Sequence, residues 1–141
     1  MIVVDTTIVS ELMRPQPAPV VVDWVRGQGA GELHTTAITL AEVSYGIERA
    51  AQGRRRDRLT AAALGIFAGF TEQVLPFDAA AALYYGPIVS HREAAGAPIE
   101  GFDAQIASIC RAHKATLATR NISDFQDTGV TVVNPWTAHR S

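Results

Sequence analysis

Five polar positions stand where acid–base or metal chemistry would need them. Asp5 closes the apolar run Met1-Ile2-Val3-Val4, and Glu42 lies one turn into an apolar-periodic segment. Asp103 opens a second such segment, with Ile106, Ala107 and Cys110 at i+3, i+4 and i+7, while Asn121 and Asp124 follow the short run Thr116 to Thr119. Carboxylates contributed by separate segments form a ligand set for a hard divalent cation, because Mg²⁺ and Mn²⁺ prefer carboxylate oxygens and keep several waters. Without a cation such acids repel one another and some stay protonated. The set therefore implies its own cofactor.

Each acid also has an ordinary reading. Asp5 suits the N-cap of a helix beginning at Thr6. Thr39-Leu40-Ala41-Glu42 matches a capping box, in which an N3 glutamate reaches back to the N-cap amide, and Asp124 can cap a short turn. Asp103 resists such treatment. Its spacing places the carboxylate on the apolar stripe of its own helix, where an unpaired charge is costly, although the first helical turn favours an anion.

The elements that must position these residues follow from periodicity and punctuation. Strands are expected over 1–4, 33–35, 74–75, 116–119 and 130–133, and helices over 6–13, 18–25, 39–51, 57–70, 79–94 and 102–113, with Asp78 capping the fifth helix. Strands separated by helices predict an α/β/α sandwich on a mostly parallel sheet. In open sheets of that kind the usable crevice lies beyond the carboxyl ends of the strands, where Asp5, Asn121 and Asp124 would all fall.

The chain has 141 residues, 48% apolar and 18% charged, which suits one domain over 1–141 with a core large enough to need no staples. Cys110 is the only cysteine, so no internal disulfide forms and a reducing cytoplasm is expected. The start lacks the basic and long apolar regions of a signal peptide, and no 18-residue apolar run occurs, so no membrane association is expected. Twelve basic against 14 acidic residues give a net charge of −2, which argues against whole-molecule attraction to nucleic acid. Setting aside Asp5, Glu42, Asp103 and Asp124 leaves the rest of the chain at +2.

Other conspicuous residues read more plainly. His34, His91, His113 and His139 show no metal-ligand spacing. Tyr84, Tyr85, Phe67, Phe70 and Trp24 read as core or dimer packing, and Cys110 as core. Gly27, Gly29 and Gly31 do not lead a strand into a helix as a phosphate loop would. The run Arg54-Arg55-Arg56-Asp57-Arg58 reads as a solvated helix start, with phosphate contact as the alternative.

Five segments carry a resemblance: Met1 to Leu12 with Asp5-Thr6-Thr7; Thr39-Leu40-Ala41-Glu42-Val43 with Tyr45-Gly46-Ile47; Asp103-Ala104-Gln105-Ile106-Ala107; Ala118-Thr119-Arg120-Asn121-Ile122-Ser123-Asp124-Phe125; and Val133-Asn134-Pro135-Trp136. In this order and spacing the chain resembles a PIN-domain ribonuclease of the VapC toxin type, most similar to its FitB-like branch. The resemblance implies a Mg²⁺- or Mn²⁺-dependent endoribonuclease, the toxin of a toxin–antitoxin pair, forming a homodimer and blocked by a small VapB-like antitoxin. Asp5, Glu42 and Asp103 match the family's three metal-binding acids. The fourth acidic position falls by spacing at Asn121, while Asp124 matches the acid often seen three residues later.

Thr7 stands where asparagine is commoner, and it joins Thr119 and Asn121 as a candidate outer contact. On this reading Asp5 and Asp103 contact the metal, Glu42 orients water or acts as base, and Arg14 and Arg120 contact the RNA backbone. The apolar run Ala61 to Leu64 with Ile66 and Phe67 serves either as core or as a groove for the antitoxin. Two other classes remain: a Mg²⁺-dependent phosphatase or phosphoacceptor domain using Asp5, which calls for a nearby lysine, and a catalytically inactive PIN-like interaction module.

Overall fold

Val3 and Val4 sit side by side on strand β1 (Ile2–Val4) yet pack into different cores, because successive strand side chains point to opposite faces of a sheet. The computed structural model describes residues 1–70 and 72–138; His139 lies outside them. Within them β1 is the centre of a five-stranded sheet ordered β3-β2-β1-β4-β5, with β2 at Leu33–Thr36, β3 at Val74–Leu75, β4 at Thr116–Ala118 and β5 at Val132–Val133. Every pairing is parallel; Ile2 lies opposite Leu33 on one side and Thr116 on the other.

Parallel neighbours need crossovers, and helices supply most of them. Helices α1 (Thr6–Leu12) and α2 (Pro19–Arg26) link β1 to β2, α3 (Ala37–Arg49) and α4 (Arg54–Ala68) link β2 to β3, and α5 (Ala79–Ala94) and α6 (Gly101–His113) link β3 to β4. Only a 3-10 turn at Ile122–Phe125 separates β4 from β5. One face of the sheet, through Val4 and Ala118, packs on Ile8, Val9, Val21, Val43 and Ala63 of the first four helices. The other, through Val3 and Leu117, packs on Ala81, Ile88, Ile106, Ile109 and Cys110 of the last two. The expected α/β/α sandwich is the one observed, and Cys110 is core as expected, its thiol pushed up to about 12 by burial and secondarily by the charge of Asp5.

Three boundaries differ from expectation in ways that matter below, one of them the start of α3, at Ala37 rather than Thr39. Helix α4 begins at Arg54 rather than near residue 57, because Gly53 takes φ 142°, a conformation closed to side-chain-bearing residues, and turns the chain directly into the arginine run. Strand β4 stops at Ala118, leaving Thr119 buried just beyond the strand.

Chain winding sets the position of the crevice. From β1 the chain moves outward through β2 to β3, then returns to the opposite side of β1 at β4, so the order reverses between β1 and β4. The carboxyl ends of those two strands, at Asp5 and Thr119, flank the switch point where α/β proteins bind ligands. Asp5 N donates to Ala118 O at 3.1 Å, holding the two strand ends together.

A buried cation on α5 fixes the loops around this edge. Arg92 is only 6% exposed, and among the described residues no carboxylate pairs with it. Its Nε donates to Ala97 O (2.6 Å) and its Nη1 to Asp124 O (2.8 Å) and Gln126 O (3.0 Å). One guanidinium thus ties the turn ahead of α6 to the 3-10 turn after β4. Arg92→Met removes the donor from three carbonyls and should lower unfolding stability by about 2–4 kcal/mol, read from urea denaturation with an unchanged slope. A loss below about 0.5 kcal/mol, the scale of an ordinary surface substitution, would show that the clamp does not hold these loops.

Candidate active site

Asp5 is the N-cap of α1 and is 4% exposed. Its Oδ1 accepts from Thr7 N (2.9 Å), from Ile8 N (3.4 Å) and from the Thr7 hydroxyl. The capping role and the strand-end position are therefore both real. Burial raises its pKa above the ordinary value, while hydrogen bonds from Thr119, Thr7 and the α1 backbone pull in the opposite direction without overcoming it. The Thr7 hydroxyl also accepts from Arg120 N at 3.0 Å, and Thr119 Oγ1 accepts from Asn121 N at 3.0 Å. Thr7 and Thr119 thus pin the chain leaving β4 against the start of α1.

Glu42 does not form the capping box that its sequence suggests. Thr36, not Thr39, caps α3: its hydroxyl accepts from Thr39 N at 3.1 Å, so the helix starts at Ala37 and Glu42 falls in its second turn. Released from the helix end, Glu42 turns to α1, where its Oε1 accepts from the Thr6 hydroxyl at 2.8 Å. Its pKa is raised by burial, against the Thr6 hydrogen bond, and further by the charges of Glu100 and Asp5.

Asp103, in the first turn of α6, is the most perturbed of the acids. Its carboxyl is pushed up to about 7, first by burial and then by the charges of Glu100, Asp124, Glu42 and Asp5. Every charge acting on it is negative. Those four perturbers reach the site from α1, α3, α6 and the 3-10 turn, so the structure brings the sequence-derived acids together within Coulombic range. Asp124 lies exposed on the 3-10 turn, held by the Arg92 contact to its carbonyl, and Asn121 lies exposed at the start of that turn.

Glu100 escapes a sequence reading. It caps α6, its Oε2 accepting from Phe102 N (3.0 Å) and Asp103 N (3.2 Å). Glutamate is not a preferred N-cap type, so the only available signal was a carboxylate three residues ahead of Asp103.

The nearby arginines do not neutralise the cluster. Arg14 pairs with Glu11 at 3.1 Å, and Glu11, which also accepts from Ala18 N, is held below its usual pKa by that backbone bond and by Arg14. The Arg120 guanidinium lies over the Trp136 ring at 4.8 Å. Lys114, the lysine that a phosphoacceptor site would need, sits at the C-cap of α6, the opposite end from Asp103.

Among the described residues no three His, Cys, Asp or Glu side chains are already drawn into a chelating group. The chemistry of the donors nevertheless fits a hard divalent cation: they are carboxylate oxygens, partly desolvated, with only negative neighbours acting on the central one.

Burial and crowding of Asp103 together predict a pH-dependent stability. Asp103 titrates near 7 in the fold and at 3.8 when unfolded, so between those values the folded chain holds a proton that the unfolded chain releases, and stability falls as pH rises across that window. Asp103→Asn removes this penalty. In chelator the variant should melt above the parent at pH 8 and no higher at pH 4. After discounting for screening at a half-buried group, the gain at pH 8 should be about 3 °C, worth about 1 kcal/mol in a domain of this size. A melting difference that is constant with pH would contradict the raised pKa of Asp103.

Known proteins with this arrangement complete the picture. The model of the PIN domain family matches residues 2–130. The chain is 36% identical over 140 residues to toxin FitB of Neisseria gonorrhoeae, covering 96% of this chain and 99% of that protein. It is 36% identical over 140 residues to VapC ribonuclease Y4jK of Sinorhizobium fredii, covering 96% and 98%. Its fold superposes with a TM-score of 0.90 on a chain in the structure of FitAB bound to an IR36 DNA fragment, at 33% identity over 99% of each chain. With the family model spanning residues 2–130 and relatives 36% identical over nearly the whole chain, the chain belongs to the PIN-domain family, in its VapC/FitB branch.

Proposed function

We propose that the protein is a divalent-metal-dependent endoribonuclease and the toxin of a VapBC-type pair, acting in the cytoplasm as a homodimer held in check by a VapB-like antitoxin. The observation that carries the chemistry is the set of acids on α1, α3, α6 and the 3-10 turn whose charges crowd Asp103. The relatives named as VapC ribonuclease and FitB toxin support the biological role. Among the described residues no helix is long and apolar enough to cross a membrane.

On this reading Asp5 and Asp103 hold Mg²⁺ or Mn²⁺, with Glu42 beside them and Asp124 or Asn121 outside. A divalent cation there would supply an acidified water and positive charge against the non-bridging phosphate oxygens. Glu42 keeps one carboxylate oxygen fixed on Thr6, which would leave the other as a candidate proton acceptor beside such a cation. Thr7 and Thr119 hold Asp5 in one orientation. Arg120, anchored over Trp136 and directly after the β4 edge, is placed to meet a phosphate.

Incubating the free toxin with end-labelled RNA and Mg²⁺ or Mn²⁺ should give cleavage that chelator abolishes. Asp5→Asn and Asp103→Asn should each slow it by roughly two orders of magnitude or more, the scale of losing one preorganised electrostatic group at a reacting centre. Cleavage that survives both substitutions refutes the assignment. Binding is read separately by melting temperature: Mn²⁺ at a hundred times its Kd should stabilise the parent by about 2.7 kcal/mol and Asp103→Asn far less.

A further inference from the structure

The crevice continues past the carboxylates. Beside Thr6, Glu42 and Phe102 a groove of about 720 Å³ extends between the end of α1 and the facing sides of α3 and α4. Arg14, Arg49, Arg55 and Arg58 all line it, an accumulation of positive charge on a chain whose net charge is −2.

The facing of α4 is selective. Arg55 and Arg58, three residues apart and so on one side of the helix, line the groove, and among the described residues neither makes an ion pair. Arg56, from the same run, turns to the other side and is tied to Glu48 at 2.7 Å. Two aromatic rings border the same groove: Tyr45, 64% exposed with the Arg49 guanidinium 5.0 Å from its ring centre, and Phe102, 45% exposed.

Unneutralised arginines interleaved with exposed aromatic faces suit a polyanion whose bases are unstacked, since phosphates take the cations and free base faces take the rings. A duplex keeps its base faces stacked and offers nothing to Tyr45 or Phe102. We propose that single-stranded RNA lies in this groove on its way to the carboxylates, with Arg55 and Arg58 on its phosphates and Tyr45 and Phe102 against its bases. The assignment rests on the nuclease reading above and names the substrate form that it takes.

The test is binding of an unstructured fluorescent RNA of about 12 nucleotides to the full chain in chelator, across a salt series from about 50 to about 200 mM. Arg55→Ala/Arg58→Ala should weaken binding about tenfold or more and reduce the slope of log affinity against log salt by about 1.4, at about 0.7 per lost single-strand phosphate contact. Arg54→Ala/Arg56→Ala removes the same charge from the same helix and should leave the slope unchanged. Tyr45→Ala should weaken the single strand by about 5- to 100-fold, the worth of one stacked base, and leave binding of a blunt duplex unaltered.

An unchanged slope in the first double variant, or equal losses in both, overturns the groove. So does a double variant that keeps RNA affinity while losing the antitoxin, which would make this a protein-docking face. A duplex as sensitive to Tyr45→Ala as the single strand overturns the preference for unstacked RNA. Because binding is measured without cleavage, a chain that binds as expected and never cuts refutes the nuclease reading alone, whereas cutting with an unaltered slope refutes the groove alone.

Discussion

Mutual repulsion among carboxylates is the constraint to which the rest of this fold answers. Asp5, Glu42, Glu100 and Asp124 all act on Asp103 across one end of the sheet, and their charges add to burial in pushing its carboxyl up to about 7. Left to itself such a cluster would spread or protonate. It persists because each acid is fixed by something other than its neighbours.

The parallel architecture supplies much of that fixation. When every strand points the same way, a helix that follows a strand starts at this edge, as α1 does, and α6, which runs into the start of β4, has its own start here too. Helix N-termini carry partial positive charge and unpaired N–H groups. Asp5 caps α1, Glu100 caps α6, and Asp103 sits in the first turn of α6. The acids are thus placed where the backbone can partly offset them without a cationic side chain. Arg92 works from behind, holding the carbonyls of Ala97, Asp124 and Gln126 and leaving the carboxylates alone. A guanidinium facing the cluster would pair with it, as Arg14 does with Glu11, and lower the very pKa values that mark the site.

How much of this was legible in the sequence depended on the range of the interaction concerned. The sandwich and its strand ends could be read, because the period-2 and period-3.6 patterns are local and the core obeys them on both faces of β1. Asp103 stood out for a local reason too, a carboxylate on an apolar stripe. Glu42 was open to a capping reading because the apolar periodicity points to a helix start at Thr39, whereas Thr36, where β2 ends, is the cap. Arg92 left no trace, because it contacts carbonyls as far as Gln126, and Glu100 left only its spacing from Asp103, because glutamate is an unfavoured cap type. The arginine run was visible, but its division between Arg55 and Arg58 on one side and Arg56 on the other follows from the helix phase that Gly53 sets.

That division changes the meaning of the net charge. A chain at −2 looks indifferent to a polyanion only if its charges are evenly mixed, and here they are segregated. The acids gather at the strand ends and the helix starts, while unpaired arginines gather on the adjoining groove between α3 and α4. Segregation costs self-repulsion on both sides, so each side must be offset separately: the acids by helix termini and, on the proposed function, by a cation, the arginines by the RNA. Two fields of opposite sign that share Glu42 and Phe102 at their border also impose an order on binding. On the proposed function a phosphate chain would be attracted along the groove and repelled at its end until a cation reversed the sign there, which would couple substrate entry to metal occupancy with no moving part.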